Sequence, residues 1–256
     1  MSEAAVFVII PALDEEESLP LVLAELPQQI LRRIIVVDNG SSDRTGEVAL
    51  AGGAEVVREE WRGYGRACQA GIRELFSSAD SSPRERDVVV FLDADHSDYP
   101  EELPLVIAPI LAGDAELVIG SRILGGASME ALLPQAWFGN RLACFLMRTL
   151  FGARHTDLGP FRSIRVDALQ HLQMGDNDYG WTVEMQLKAR VAGLRVVEVP
   201  VTYRERIGVS KITGTVRGTI GAAWKILGWI FGWRVRLWLN PLCIPRFPQS
   251  PRSEST

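Results

Sequence analysis

The chain has 256 residues and a formal net charge of −5, with 47% hydrophobic and 23% charged residues. This is the composition of a globular protein and excludes a chain that is disordered throughout. The acidic balance argues against a broad basic surface for nucleic acid. The length suits one large domain, or one domain with a small appendage.

The cysteines, the N-terminus and the apolar runs argue against four further features. The cysteines, Cys68, Cys144 and Cys243, are far apart without CxxC spacing, so we expect neither a disulfide framework nor a structural zinc site. The N-terminus lacks the basic region of a signal peptide. No stretch reaches 18 uncharged apolar residues, because Lys225 interrupts the nearest candidate, Gly218–Trp233, so a spanning helix is not expected.

Short apolar runs alternate with helical patterns along the first 120 residues. The predicted strands are Val6–Ile10, Arg33–Asp38, Ala54–Arg58, Asp87–Leu92 and Glu116–Gly120. The predicted helices between them are Ser18–Leu26, Asp43–Leu50, Gly65–Phe76 and Glu102–Leu111. This alternation is typical of an α/β fold with a mostly parallel sheet, in which ligands bind at the carboxyl ends of strands.

The second half of the chain is less regular. Its predicted helices are Pro134–Phe151, Trp181–Ala192 and Thr215–Leu239. Leu194–Tyr203 is a predicted strand and Thr156–Arg162 a predicted loop. We expect a main domain over residues 1–212, a Trp-rich amphipathic segment over 213–244 and a disordered tail over 245–256.

Two acids, Asp93 and Asp95, directly follow the strand DVVVFL. A divalent cation held by one or two carboxylates and completed by diphosphate oxygens is the usual arrangement for Mg²⁺ or Mn²⁺. The alternative is a pair of solvated loop acids. Their position after a buried strand favours the metal site.

Two other segments fall at strand or helix ends. Asp38 ends the second strand, where a carboxylate can bind a base imide or a ribose hydroxyl. The alternative, a turn with a helix cap, explains Ser42 or Asp43 but explains Asp38 less well. Gly63 and Gly65 open a helix, where a ligand can approach the backbone and anions are favoured.

Basic residues cluster near the end of the main domain. Three cations and a hydroxyl fall close together there: Arg204, Arg206, Ser210 and Lys211. In an acidic chain this cluster indicates an anion site, with a solvated basic loop as the alternative. Arg122 follows the fifth strand and adds another cation, while Glu184 has Lys188 four residues on, as in a surface ion pair.

Together these residues resemble the family 2 glycosyltransferases with the GT-A fold, in particular the polyprenyl-phosphate (dolichyl-phosphate) mannose and glucose synthases. The matching segments, in the family's order, are VIIPALDEEESL, IIVVDNGSSDRTGEVA, GYGRACQAGI, VVVFLDADHSDYPEEL, GSR, TDLGPFRSIR, WTVEMQLKA and RIGVSKITGTVRGTI. The family often has Gln where this chain has Ser97, so the resemblance supplies no third protein ligand for the metal there.

The resemblance implies a Rossmann-like GT-A domain that transfers a hexose, with inversion, from a UDP- or GDP-sugar in the presence of Mg²⁺ or Mn²⁺. The implied donor-binding residues are Pro11, Leu13, Glu15, Asp38, Gly63, Gly65 and Asp93. Asp93 and Asp95 would hold the metal and diphosphate, with Asp95 the direct ligand. The implied phosphate contacts are Arg122, Arg204, Arg206, Ser210 and Lys211.

The acceptor implied by the resemblance is a polyprenyl phosphate at the cytoplasmic face of the membrane. A phosphate nucleophile is already anionic, whereas a hydroxyl acceptor would need a carboxylate base, for which Asp157 and Glu184 are the candidates. A hydroxyl acceptor on a glycolipid or polysaccharide is one alternative. A non-catalytic protein that binds nucleotide-sugars is another.

The Trp-rich segment predicts contact with a bilayer surface. Its large apolar residues are Trp224, Ile226, Leu227, Trp229, Ile230, Phe231 and Trp233. The flanking cations are Arg217, Lys225, Arg234 and Arg236. Trp and cations together favour the headgroup region, so we expect a cytoplasmic, peripheral protein. The alternatives are a cover for the catalytic core and a contact in a homo-oligomer.

Overall fold

The computed structural model describes residues 4–77, 82–127, 134–208, 216–240 and 245–248. Within these residues the strands are β1 Val6–Ala12, β2 Leu31–Asp38, β3 Glu55–Arg58, β4 Val88–Phe91, β5 Leu117–Ser121, β6 Arg162–Arg165 and β7 Val196–Pro200. The helices are α1 Leu19–Glu25, α2 Thr45–Ala51, α3 Tyr64–Ser77, α4 Leu103–Leu111, α5 Pro134–Phe151, α6 Val166–Leu172, α7 Trp181–Ala192 and α8 Val216–Leu239. Short 3-10 turns cover Gln28–Ile30 and Pro100–Glu102.

The strands form one sheet in the order β3-β2-β1-β4-β6-β5-β7. Strand β6 is antiparallel to both of its neighbours, and the other pairings are parallel. The sheet is therefore mixed and mostly parallel, as the sequence predicts. Because β1, β2 and β4 are parallel, their carboxyl ends meet at one edge.

Strand β1 shows why helices cover both faces of this sheet. Val8 and Ile10 belong to one apolar cluster, which includes residues of α1 and α4. Phe7 and Ile9 belong to another, which includes residues of α3, α6 and α7. Side chains alternate between faces along a strand, and full burial of each such aliphatic side chain stabilises the fold by about 1.5–3 kcal/mol. Both faces of β1 are therefore core, which explains its unbroken apolar run.

The sequence predicts neither strand β6 nor helix α6. It predicts a loop that ends at Arg162, the residue where β6 begins. Arg162 is fully buried, and its guanidinium donates hydrogen bonds to the carbonyl oxygens of Gly159 (3.0 Å) and Thr182 (3.1 Å). The Ser163 hydroxyl donates to the carbonyl of Val106 at 2.7 Å. The polar sequence RSIR forms a central strand because these backbone carbonyls satisfy Arg162 and Ser163, and the Asp167 carboxylate accepts from Arg165 at 2.6 Å.

Helix α8 shares a third apolar cluster with α5 and α7. Ile230 and Trp233 of α8 are buried there against Met147 of α5 and Leu187 of α7. The predicted boundary between residues 212 and 213 lies outside the described residues. None of the described helices is long and apolar enough to cross a bilayer.

Candidate active site

A cavity of about 500 Å³ opens at the edge where β1 and β4 end. It is lined by several residues that the sequence singled out: Pro11, Leu13, Glu15, Gly63, Asp93, Asp95 and Arg206. It is also lined by residues to which the sequence gave no role: Ala12, Asn39, Arg62, Tyr64, Ala67, Ala94, Asp178 and Tyr179. The site thus combines loops from both halves of the chain.

The two acids after β4 form the polar centre of the cavity. Asp93 accepts a hydrogen bond from the Tyr64 hydroxyl at 2.9 Å. Asp95 Oδ1 accepts from the backbone N–H (3.0 Å) and hydroxyl (2.5 Å) of Ser97, and its Oδ2 lies 3.0 Å from Arg206 Nη2. Burial, together with the negative charge of Asp95, raises the pKa of Asp93 to about 7. Two carboxyl groups thus lie close enough at this edge of the sheet for the charge of one to disfavour ionisation of the other.

These carboxylates suit a hard divalent cation. Carboxylate oxygens are the ligands that Mg²⁺ and Mn²⁺ prefer, and a cation here would relieve the repulsion that raises the pKa of Asp93. Across the part of the chain that the structure describes, no three His, Cys, Asp or Glu side chains converge as a complete metal cage. The donor set fits a cation held by two protein acids and completed by phosphate or water oxygens.

Two neighbouring residues at the end of β2, Asp38 and Asn39, have different roles. Asp38 does not line the cavity; its Oδ1 accepts the backbone N–H of Ser41 at 2.8 Å, a turn role that the sequence favoured for Ser42 or Asp43 over Asp38. Asn39 does line it, and its side chain accepts from the Gly63 N–H and donates to the Trp61 carbonyl, both at 2.8 Å. Asn39 therefore links the end of β2 to the turn before α3 by hydrogen bonds.

The glycines at the start of α3 make room for a protein loop. A Cβ on Gly63, whose φ is +146°, would lie 2.2 Å from the carbonyl oxygen of Asn177. A Cβ on Gly65 would lie 2.1 Å from the carbonyl oxygen of Asp176. The sequence predicted close approach of a ligand here; the structure shows close approach of residues 176–177, and Gly65 does not line the cavity.

The predicted basic cluster divides in the structure. Arg206 points into the cavity, 3.0 Å from Asp95 and 3.6 Å from Glu15. Arg204 instead stacks 4.2 Å from the Tyr99 ring centroid and pairs with Glu25 at 2.5 Å, outside the cavity lining. The other two predicted contacts, Ser210 and Lys211, lie outside the described residues.

Arg122 and Asp157 form a bidentate ion pair. The Arg122 Nε and Nη2 donate to the two Asp157 carboxylate oxygens, each at 2.8 Å. Burial alone would raise the pKa of Asp157, but the charge and hydrogen bonds of Arg122 outweigh it and lower that pKa below its usual value. A carboxylate held this way is a weak base, and neither residue lines the cavity.

Glu184 forms a buried ion pair rather than the surface pair that its spacing suggested. Its carboxylate lies 2.7 Å from Lys188 Nζ and is fully buried. It also accepts the backbone N–H groups of Gly175 (2.9 Å) and Asp176 (2.7 Å). Glu184 thus anchors the loop before α7, and it is not part of the cavity lining.

Comparison with known proteins identifies the family. Residues 7–173 match the model of glycosyl transferase family 2. The chain is 34% identical over 229 residues to the undecaprenyl-phosphate mannosyltransferase of Micrococcus luteus, covering 83% of this chain and 89% of that protein. It is 33% identical over 225 residues to the polyprenol monophosphomannose synthase of Mycolicibacterium smegmatis, covering 81% of each.

A solved structure has the same fold. The glucosyl-3-phosphoglycerate synthase of Mycobacterium tuberculosis, crystallised with Mn²⁺, UDP-glucose and phosphoglyceric acid, superposes with a TM-score of 0.67 at 22% identity. The match covers 89% of this chain and 80% of that one, and it confirms the predicted GT-A fold. By its sequence, this chain belongs to glycosyl transferase family 2.

Proposed function

We propose that the chain transfers a hexose, with inversion, from a UDP- or GDP-sugar to a polyprenyl phosphate at the cytoplasmic face of a membrane. The observation that carries the proposal is the meeting of Asp93, Asp95 and Arg206 in one cavity, at the strand edge where nucleotides bind in such sheets. The names of the two mannosyl-transferring relatives support the acceptor class.

The residues of the cavity divide the work of binding a nucleotide-sugar. Pro11 and Leu13 form an apolar wall suited to the base, and Glu15 lies beside them. Asp93 and Asp95 would hold a divalent cation, which, when bound, supplies positive charge that stabilises the departing nucleoside diphosphate. Arg206 adds a fixed positive charge beside the acids. The Mn²⁺ and UDP-glucose in the related crystal structure support this assignment.

The state of the two candidate bases favours an anionic acceptor. Asp157 is held by Arg122 with a lowered pKa, and Glu184 is buried against Lys188. Neither residue lines the cavity, which also favours an acceptor that needs no carboxylate base. A phosphate acceptor requires no such step, because it is already ionised at neutral pH.

The outer side of α8 supports peripheral membrane contact. Trp224 and Trp238 are 81% and 77% exposed, and Phe231 is half-exposed between them. The neighbouring helix α5 exposes Phe138 and Phe145. Exposed aromatic residues near cations, as at the end of α8, suit the headgroup region of a bilayer.

The test is a transfer assay with UDP- and GDP-hexoses, Mn²⁺ or Mg²⁺, and three matched acceptors. These are a short polyprenyl phosphate, the corresponding polyprenol and phosphoglyceric acid, with products identified by mass. We expect a hexosyl phosphoprenol only with the first acceptor. Product with the polyprenol or phosphoglyceric acid instead would overturn the acceptor assignment, and no product or donor binding with any pair would overturn the proposed activity.

A further inference from the structure

The loop of residues 175–180, between α6 and α7, forms one wall of the donor cavity. Asp178 and Tyr179 line the cavity, while Asp176 lies outside its lining with its side chain 2% exposed. The backbone carbonyls of Asp176 and Asn177 pack against the two glycines at the start of α3. On this side the loop has no room to move inward.

Asp176 joins this wall to the C-terminal helix. Its Oδ1 accepts the backbone N–H groups of Asp178 (2.7 Å) and Gly180 (3.0 Å). Its Oδ2 accepts the indole N–H of Trp229 (2.5 Å) and lies 3.4 Å from Lys225 Nζ. One oxygen therefore shapes the loop, and the other is held by two residues of α8.

The contact between the loop and α8 is also sterically close. A Cβ on Gly180 would lie 2.4 Å from two atoms of the Trp229 ring. Glu184 holds the loop from a third direction through the N–H groups of Gly175 and Asp176. The positions of Asp178 and Tyr179 thus depend on contacts with α3, α7 and α8.

We propose that Trp229, acting through Asp176, is a positioning residue for the donor site. In this proposal α8 fixes the wall formed by Asp178 and Tyr179, so the helix that presents aromatic residues outward also sets the shape of the nucleotide-sugar cavity. The inference rests on the proposed function, since it concerns the affinity of the same site for its donor.

The experiment compares Trp229→Phe with Trp233→Phe in the full-length protein. Phe keeps a ring against Gly180 but removes the N–H that Asp176 Oδ2 accepts. Trp233 is the matched control, because it is buried in the same α5–α7–α8 cluster and its ring stacks on that of Trp229 at 6.3 Å. The readouts are binding of UDP and GDP with Mn²⁺, the donor KM and kcat, and hydrogen exchange of the Asp178 and Gly180 amides.

We expect Trp229→Phe to weaken nucleotide binding and raise the donor KM by about tenfold, with a smaller change in kcat. The two amides should exchange about five- to tenfold faster in this variant and at the wild-type rate in Trp233→Phe. Asp176→Asn keeps only one accepting oxygen for the donors that surround both carboxylate oxygens, so its effect should be at least as large as that of Trp229→Phe.

Each result separates this inference from the proposed function. Unchanged exchange and unchanged donor KM in Trp229→Phe, in an active wild-type background, would overturn the positioning role and leave the activity intact. Equal effects of Trp229→Phe and Trp233→Phe would also overturn it, since they would reflect only loss of core packing. A wild-type protein that binds neither UDP nor GDP would overturn both.

Discussion

At the scale of single residues, neighbouring positions in the same motif have different tasks. Asp38 shapes a turn while Asn39 lines the cavity. Arg204 fastens a loop to α1 through Glu25, while Arg206 faces Asp95. Charge and spacing alone do not distinguish such neighbours, because only the fold decides which side chain meets the ligand.

We expect Asp95→Ala to abolish transfer and to weaken donor binding in Mn²⁺ while the protein remains folded. Asp95 is one of the two acids to which we assign the cation, and its loss leaves Asp93 alone in that role. The measurements are turnover, donor affinity with and without EDTA, and circular dichroism. Asp167→Ala on α6 is the control. Full activity of Asp95→Ala, or of the wild type in EDTA, would refute the metal assignment.

Arg206→Ala should lower activity about ten- to a hundredfold, because it removes from the cavity the cation that we propose to contact phosphate. Arg204→Ala is the matched comparison from the same segment. It should affect thermal stability more than kcat/KM, since it loses Glu25 and the Tyr99 ring rather than a ligand contact. Equal kinetic losses in the two variants would contradict this division.

Asp157→Asn should destabilise the protein by about 3–5 kcal/mol, because Arg122 is left as a buried, unpaired charge. The pKa of Asp157 is lowered, so its contribution is present above the unfolded value of about 4 and is lost as pH falls through the folded-state pKa. Urea unfolding at pH 7 and at pH 3 measures both effects. A variant of unchanged stability that has lost transfer to a hydroxyl acceptor would instead identify Asp157 as the base.

At the scale of elements, the sequence predicts best those strands whose side chains are buried on both faces of the sheet. The apolar runs of residues 6–10, 34–37 and 88–91 are easily found because each of their side chains is core, and the end of β4 locates Asp93 and Asp95. The strand RSIR was missed because its polarity is satisfied by distant carbonyls that the sequence does not reveal. Asp178 and Tyr179 were missed because their loop reaches the cavity through packing against α3 and α8, and such tertiary contacts cannot be read from the sequence.

Helix α8 divides the Trp-rich pattern between two environments. Trp233 and Ile230 are buried against α5 and α7, so part of the pattern is core, as one alternative reading of the sequence held. Trp224, Phe231 and Trp238 follow each other at spacings of seven residues and lie exposed along the helix. The outward residues are the ones available for a bilayer.

We expect Trp224→Ser combined with Trp238→Ser to abolish vesicle flotation without unfolding the protein, because both side chains are exposed. The assay uses vesicles with anionic lipid. Leu50→Ser, an exposed apolar residue on α2, is the matched control. Point substitutions are preferable to truncation before Thr215, which would also remove Ile230 and Trp233 from the core. If the wild-type protein does not bind the vesicles, the exposed aromatic face of α8 would have to serve a partner other than a bilayer.

At the scale of the whole molecule, the donor site draws on nearly the full chain. The acids follow β4, the opposite wall precedes α7, and Arg206 comes shortly after β7. Helix α8 touches that wall through Asp176 while its other side carries exposed aromatic residues. Cavity and exposed face are therefore joined by one helix rather than by a linker.

The placement of β6 has a consequence for how this protein is made. β6 sits between β4 and β5, which leave the ribosome well before it. Until residue 165 has emerged, β4 has a bare hydrogen-bonding edge and β5 has no neighbour. A nascent chain with such an edge is exposed to pairing with other chains. The burden on cellular chaperones should therefore fall in the interval between synthesis of β4 and synthesis of β6.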